Sequence, residues 1–247
     1  MKVEEILKKA IARDGAAHLT LIDPEKQEPK VAGEMAADAA SAGTDGIMVG
    51  GSTRAGGELL DRTVLEIKKA TKLPVILFPA NEAGVSRHAD AIFFMSMLNS
   101  RDPYFITGAQ KLGAPLVKRF KLESLPMAYI LIEPGGAAGK VGKANLIPRD
   151  EPELAAAYAL AAQHLGMRFV YLEAGSGADK PVPAEMVKAV RDVIDVTLIV
   201  GGGIRTPEAA AERVKAGADI IVTGTIVEQA KEIKAKLKEI VEAVKTV

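Results

Sequence analysis

The chain reads as an α/β protein, a (β/α)8 TIM barrel with the third helix missing or reduced, in a single domain over residues 1–247. Three observations predict it. Eight short apolar runs recur along the chain, helical patterns lie between most of them, and 247 residues suit eight strand–helix units. The runs are His18–Asp23, Gly46–Gly50, Pro74–Phe78, Asp90–Met95, Met127–Ile132, Arg168–Glu173, Val196–Gly201 and Asp219–Thr223. Each is rich in Val, Ile, Leu or Phe and ends at Gly, Pro or a polar residue. Such runs, apolar on both faces, suit parallel strands covered by helices. A doubly wound sheet is the competing arrangement.

Helical patterns cover Lys30–Ala42, Gly57–Ala70, Glu151–Leu165, Ala184–Val193, Thr206–Ala216 and Val227–Val244. The last carries Ile233, Leu237, Ile240, Val241 and Val244 on one face, as a helix docked on a barrel does. Its near balance of Lys and Glu argues against a membrane-surface helix. Only the eleven residues Pro79–Ala89 separate the third run from the fourth. A mean helix alone takes about 11–12 residues, so the third helix is expected to be absent or reduced to a turn. The outer ring would then have a thin place.

Composition excludes several classes of function. Lys and Arg total 32 and so do Asp and Glu, giving zero formal charge without the basic excess of a nucleic-acid binder. With no Cys, a disulfide framework, a thiolate nucleophile and a Cys-ligated metal are all ruled out. Met1 to Ala17 is amphipathic and charged, without a signal peptide's apolar run, and no 18-residue apolar stretch occurs. A soluble, cytoplasmic protein is expected. Asn and Gln are scarce and Lys and Glu balanced, a composition like that of a hyperthermophile.

In a barrel of this kind the site lies at the C-terminal ends of the strands. The first strand ends at Asp23, which period-two alternation places with Leu19 and Leu21 on the inward side. This carboxylate could cap the next helix or hold Mg²⁺, which favours hard oxygen ligands and substrate phosphates. Gly50-Gly51-Ser52-Thr53 ends the second strand, where a hydroxyl could join a metal shell, although the motif alone is only a turn. Tyr171 and Glu173 share a face at the end of the sixth strand, before the small-residue loop Ala174-Gly175-Ser176-Gly177. Glu173 there suggests a carboxylate that binds hydroxyls or acts as a base. Gly201-Gly202-Gly203 and Thr223-Gly224-Thr225 follow strands seven and eight. Paired glycine turns at these two ends point to a phosphate held by backbone N–H groups and a helix N-terminus.

Residues 90–98 stay apolar past the usual barrel mouth, and Tyr104, Phe105 and Ile106 follow. An apolar ligand groove, core packing and a subunit interface all fit that stretch. The thin place in the outer ring would give a long apolar chain its exit. His18, His88 and His164 have no metal-ligand spacing and read as polar surface or edge residues.

The run His18–Lys26, with Gly50–Thr53, Phe93–Ser96, Glu133–Gly136, Tyr171–Gly177 and Gly201–Arg205, resembles the geranylgeranylglyceryl phosphate synthase family over essentially the whole chain. The YLEAGSG element, Tyr171–Gly177, is specific to that family, whereas GGGIR is shared with barrel isomerases of histidine synthesis. The resemblance implies an archaeal, Mg²⁺-dependent prenyltransferase. It would join geranylgeranyl diphosphate to the C3 hydroxyl of sn-glycerol 1-phosphate and release diphosphate, forming the first ether bond of archaeal lipids. It further implies Mg²⁺ on Asp23 and Ser52, and glycerol phosphate on Tyr171, Leu172, Glu173, Ala174, Gly175, Ser176, Gly177, Gly202, Gly203, Gly224 and Thr225. Catalysis would fall to Glu173 and Asp23, and the prenyl tail would lie along Phe93–Leu98. Bacterial relatives, heptaprenylglyceryl phosphate synthases, take a longer donor.

The resemblance also implies a homo-oligomer, a dimer or hexamer. Relatives usually carry Trp in the assembly loop near Lys140, whereas this chain has no Trp at all, so a hexamer does not carry over directly. Two further readings remain: an isomerase or lyase of amino-acid synthesis on the same barrel, and a non-catalytic phosphate- or lipid-binding barrel.

Overall fold

The computed structural model describes residues 1–51, 56–224 and 233–246. Eight strands run parallel: β1 (Ala17–Ile22), β2 (Gly46–Val49), β3 (Val75–Leu77), β4 (Ala91–Met97), β5 (Glu123–Leu131), β6 (Phe169–Glu173), β7 (Thr197–Gly201) and β8 (Ile220–Thr223). Each pairs with the next, and β8 pairs with β1 to close the barrel. Closure gives every strand two neighbours, so no edge is left open.

Alternation along the strands sorts the core into two layers. Leu19, Met48, Ile76, Phe93, Met127, Phe169, Tyr171 and Ile199 fill the barrel interior. Intervening residues such as Ile22, Ile47, Val170 and Leu172 face outward into the layer beneath the helices. Both faces are buried, which is why the runs are mostly apolar and why the polar residues in them, such as His18 and Thr223, are hydrogen-bonded.

The helices are α1 (Val3–Asp14), α2 (Pro29–Ser41), α3 (Gly57–Ala70), α4 (Ala109–Phe120), α5 (Gly136–Val141), α6 (Pro152–His164), α7 (Ala184–Arg191), α8 (Pro207–Lys215) and α9 (Ile233–Lys245). The first six residues of the expected helix 227–244 lie outside the described residues. Residues 78–90, between β3 and β4, form turns only. The third helix is therefore missing, as the short spacing predicts, and the outer ring opens between α3 and α4.

Three features depart from the sequence reading. The charged N-terminal stretch is α1, whose Val3, Leu7 and Ala10 plug the N-terminal end of the barrel interior. Glu123 holds it there by accepting from the backbone N–H groups of Val3 and Glu4, at 2.5 and 3.1 Å. α4 contains Pro115 and Gly113, residues that normally break a helical pattern. β5 begins four residues before Met127 and runs through Pro126, which sequence rules demote within a strand.

His18 is also not a surface residue. It lies fully buried, its ring between the hydroxyls of Thr44 (2.9 Å) and Thr223 (3.0 Å). It faces outward from the barrel, but α9 and α2 cover that face. Burial, with a smaller contribution from the charge of Lys245, pushes its pKa down to about 3, so the imidazole is neutral.

Candidate active site

At the end of β6 the alternation turns Tyr171 and Glu173 inward. The Tyr171 hydroxyl donates to Glu173 Oε2 at 2.6 Å, and the backbone N–H of Gly175 donates to Oε1 at 2.7 Å. These bonds orient the carboxylate and favour its charged form. Burial outweighs them, and the Glu173 pKa stands above the ordinary carboxylate value. A carboxylate in that state suits proton abstraction. Gly202 makes the arrangement possible. Its φ of +79° is left-handed, and a Cβ there would clash with Glu173 Oε1.

A small pocket of about 30 Å³ lies among Tyr171, Glu173, Ser176, Gly202, Gly203, Arg205 and Gly224. The N–H groups of Ser176, Gly177, Gly202 and Gly203 donate to no described residue. Consecutive free N–H groups in left-handed turns form an anion-binding concavity. The free N–H groups belong to the turns after β6 and β7; of the expected turn after β8, Gly224 lines the pocket, and Thr225 lies outside the described residues.

Not every residue of the Tyr171–Gly177 run reaches this pocket by its side chain. Leu172 and Ala174 face outward and are buried beneath the helices, because alternation turns them away from Tyr171 and Glu173. The Gly175 N–H is already committed to Glu173, and the Gly177 carbonyl accepts from Arg205. What these residues supply is backbone shape. The expected helix N-terminus is likewise not available. α8 is capped by its own Thr206, whose hydroxyl accepts from the Ala209 N–H at 3.2 Å.

Beside this pocket lies a cavity of about 430 Å³. Phe93, Met95 and Met97 line it from the inward side of β4, and Ile92 and Phe94 from the outward side. Residues from both faces of β4 line one cavity because no helix follows β3 to close the wall between α3 and α4. Pro79 to Glu82 of the β3–β4 turn, with Phe105, Ala109 and Gln110, form one wall, and Ala138 and Val141 of α5 lie on another side. Leu98 turns away and packs in the outer layer beneath the helices.

Phe78, Tyr129 and Tyr171 pack together at the inner end of the cavity, with ring centroids 5.3 to 5.7 Å apart. The sequence reading missed Phe78 and Tyr129. The period-two series Leu125, Met127, Tyr129, Leu131 on β5 carried the signal for Tyr129. It likewise gave Arg205 and Gln110 no individual role. Gln110 holds the backbone carbonyls of Met95 and Phe105, and its Oε1 is a buried acceptor without a partner among the described residues.

Asp23 stands at the end of β1 on the rim of the same cavity, its carboxylate packed against the backbone of Gly51. It does not cap the next helix. α2 begins at Pro29 after Glu28, and Asp23 Oδ1 accepts from the Glu25 N–H at 3.0 Å instead. Among the described residues no three His, Cys, Asp or Glu side chains cluster as metal ligands. A single carboxylate still suits Mg²⁺, which keeps several waters and shares its shell with substrate phosphates. Ser52, the other expected ligand, lies outside the described residues.

A barrel whose glycine-turn pocket adjoins an apolar cavity has the form of a phosphate-binding TIM barrel with added room for an apolar chain. The PcrB family model matches residues 8–244, and the chain belongs to that family. The chain is 58% identical to the geranylgeranylglyceryl phosphate synthase of Pyrococcus abyssi over 97% of this chain and 96% of that one. It is 56% identical to that of Methanosarcina mazei over 99% of this chain and 100% of that one. The crystal structure of (S)-3-O-geranylgeranylglyceryl phosphate synthase from Thermoplasma acidophilum, in complex with its substrate sn-glycerol-1-phosphate, superposes with a TM-score of 0.96. The two are 47% identical over the full length of both chains. Mycobacterium tuberculosis tryptophan synthase, 17% identical over 98% of each chain with a TM-score of 0.64, shares the fold alone. Among the described residues no helix is long and apolar enough to cross a membrane.

Proposed function

We propose that the chain is a geranylgeranylglyceryl phosphate synthase, joining geranylgeranyl diphosphate to the C3 hydroxyl of sn-glycerol 1-phosphate. The observation that carries this reading is the position of Glu173. It lines both the anion pocket and the apolar cavity, where a phosphorylated alcohol and a prenyl chain would meet.

Glycerol phosphate is oriented with its phosphate on the free N–H groups of the glycine turns and its C3 hydroxyl toward Glu173. The tail of the donor runs along Phe93 and Met97 and leaves over Phe94 through the gap between α3 and α4. The bond between the allylic carbon and the diphosphate oxygen breaks, and the C3 oxygen bonds to that carbon. The hydroxyl proton passes to Glu173, and diphosphate leaves. Tyr171 keeps the carboxylate aimed at the hydroxyl, and the apolar walls exclude the water that would otherwise capture the allylic carbon.

Asp23 and Ser52 would hold Mg²⁺. When bound, the ion would grip the diphosphate and offset the negative charge that grows as it departs. The isomerase or lyase alternative gives the apolar cavity no role. The reading includes a cytoplasmic homo-oligomer, dimer or hexamer, in a thermophilic archaeon. The scarce amides fit the thermophile.

The test incubates the protein with labelled sn-glycerol 1-phosphate, Mg²⁺ and prenyl diphosphates of several lengths. Ether product with the C20 donor is expected, falling to background with EDTA and returning with added Mg²⁺. Absence of product with every donor would overturn the reading. Light scattering of the same preparation is expected to give a mass of two or six chains.

A further inference from the structure

The anion pocket has to hold a phosphate in a protein of zero net charge, and in the presence of Glu173, which is anionic when it acts as a base. Of the usual sources of positive potential, the N-terminus of α8 is already spent. Its first residue, Pro207, has no N–H. The Glu208 carboxylate sits in the first turn, held below its ordinary pKa by its own backbone N–H and by Thr206. The Ala209 N–H goes to Thr206 Oγ1, and the Ala210 N–H to the Thr206 carbonyl. A helix end closed in this way, with a carboxylate on it, offers an incoming dianion nothing.

One cationic side chain lines the pocket among the described residues, and it is Arg205. It follows Gly203 and Ile204 directly, at the last position before the α8 cap. Its Nη2 donates to the Gly177 carbonyl at 2.8 Å. That bond spans from the β7–α8 turn to the β6–α7 turn, the two segments whose free N–H groups face the pocket. A guanidinium carries five N–H donors in a fixed plane. With one tied to Gly177, its plane is set and the other four remain for oxygen acceptors, a geometry that matches phosphate.

We propose that Arg205 is the phosphate-recognising cation of this pocket, steered by Gly177 toward the phosphate of the acceptor and making the enzyme select a phosphorylated glycerol over glycerol itself. The inference rests on the glycerol phosphate reading above. Backbone N–H groups supply the shape of the site, and Arg205 supplies the charge that distinguishes a dianion from a neutral diol.

Steady-state kinetics of the full chain with Mg²⁺ and geranylgeranyl diphosphate test it in wild type, Arg205→Gln and Arg205→Lys. Arg205→Gln is expected to raise KM for sn-glycerol 1-phosphate on the order of ten- to a hundredfold, the weight of a charge-assisted hydrogen bond. The donor KM should stay as in wild type, and Arg205→Lys should recover part of the loss. An unchanged acceptor KM in Arg205→Gln overturns the proposal. So does an equal rise of the donor and acceptor KM, which would mark a loop brace only.

Calorimetric titration of inorganic phosphate into wild type and Arg205→Gln reads the same contact without turnover. Weaker phosphate binding by the variant is expected, and equal binding overturns the proposal. Should Arg205→Gln not fold, the same titration on Arg205→Lys serves, with weakened binding expected. A wild type that makes no ether product sinks the functional reading. An active wild type whose variants are unchanged sinks only the role of Arg205.

Discussion

The two halves of the site are built on opposite plans. The anion pocket at the ends of β6, β7 and β8 is small, and it is shaped by backbone turns, left-handed glycines and a carboxylate held at each oxygen by one hydrogen bond. The apolar cavity over β3, β4 and β5 is more than ten times larger and consists of side chains at a place where a helix is absent. Polar recognition depends on atoms held to fractions of an ångström, which closed strand ends provide. Room for a long flexible chain requires volume, and deleting one outer helix provides it without disturbing the strand ladder. Substitutions in the first half should therefore act steeply and on chemistry, whereas those in the second should act gradually and on chain length.

The largest expected effect is at Glu173. Glu173→Gln should lower turnover by about 10²–10⁴-fold with both substrates still bound, as for loss of a general base. Near-wild-type turnover at saturation would remove the assigned role. In the wild type the acidic limb of the pH–rate profile should lie above the ordinary carboxylate range, because the pKa is raised and the ionised form is the base. The same shift has a consequence for stability. A carboxylate whose folded pKa is raised contributes fully only below its unfolded pKa, and that contribution is lost as pH rises through the folded value. At neutral pH the buried charge is a cost, so Glu173→Gln should melt higher than wild type there. The difference should vanish in acid, as calorimetry at the two pH values would check.

Next comes Gly202→Ala, which forces a Cβ into a left-handed turn and against the Glu173 carboxylate. Strain of about 1–3 kcal/mol should appear as a higher acceptor KM and lower turnover, with the donor KM unchanged. A variant with wild-type kinetics would show that the turn is not a rigid element of the site.

The cavity should respond more gently. Ala109→Phe narrows its wall, and each excluded methylene of the tail forfeits about 0.8 kcal/mol. Longer donors should lose kcat/KM first and the acceptor KM should not move, which a series of donor lengths would measure. A loss equal for every length would argue against a tail channel at this wall.

The smallest effect is expected at His18, which lies on the outward side of β1 and meets the anion pocket only through Thr223. Its folded pKa of about 3 lies below the unfolded value of 6.5. The stability it contributes is therefore present above pH 6.5 and declines as pH falls toward 3. His18→Asn should flatten that decline in thermal melts. An unchanged acid slope would place the acid sensitivity elsewhere.

Much of this was legible in the residues themselves. Alternation placed Asp23, Tyr171 and Glu173 on inward faces, and the short interval after β3 announced the missing helix. The helices outside the six helical patterns, α1, α4 and the short glycine-containing α5, lack the pattern for identifiable reasons. Charge dominates α1 until its apolar side is seen plugging the barrel, and α4 contains Pro115 in a helix held by tertiary packing. For His18, alternation shows only that it faces out of the barrel, and only the tertiary structure shows that a layer of helices, not water, lies there.

The sequence by itself determined the closed parallel barrel, the strand ends that carry the chemistry and the opening in the outer ring. These follow from periodicity and spacing, which are local properties. Only the tertiary structure decided which groups meet. The Tyr171–Glu173–Gly175 bonds, the closed N-terminus of α8, the span from Arg205 to Gly177 and the joining of both pockets at Glu173 depend on where separate turns come to rest. A linear sequence shows what each strand end bears. Closure of the barrel decides which of those ends become neighbours, and a neutral chain becomes a phosphate site only where its backbone donors are brought to face one another.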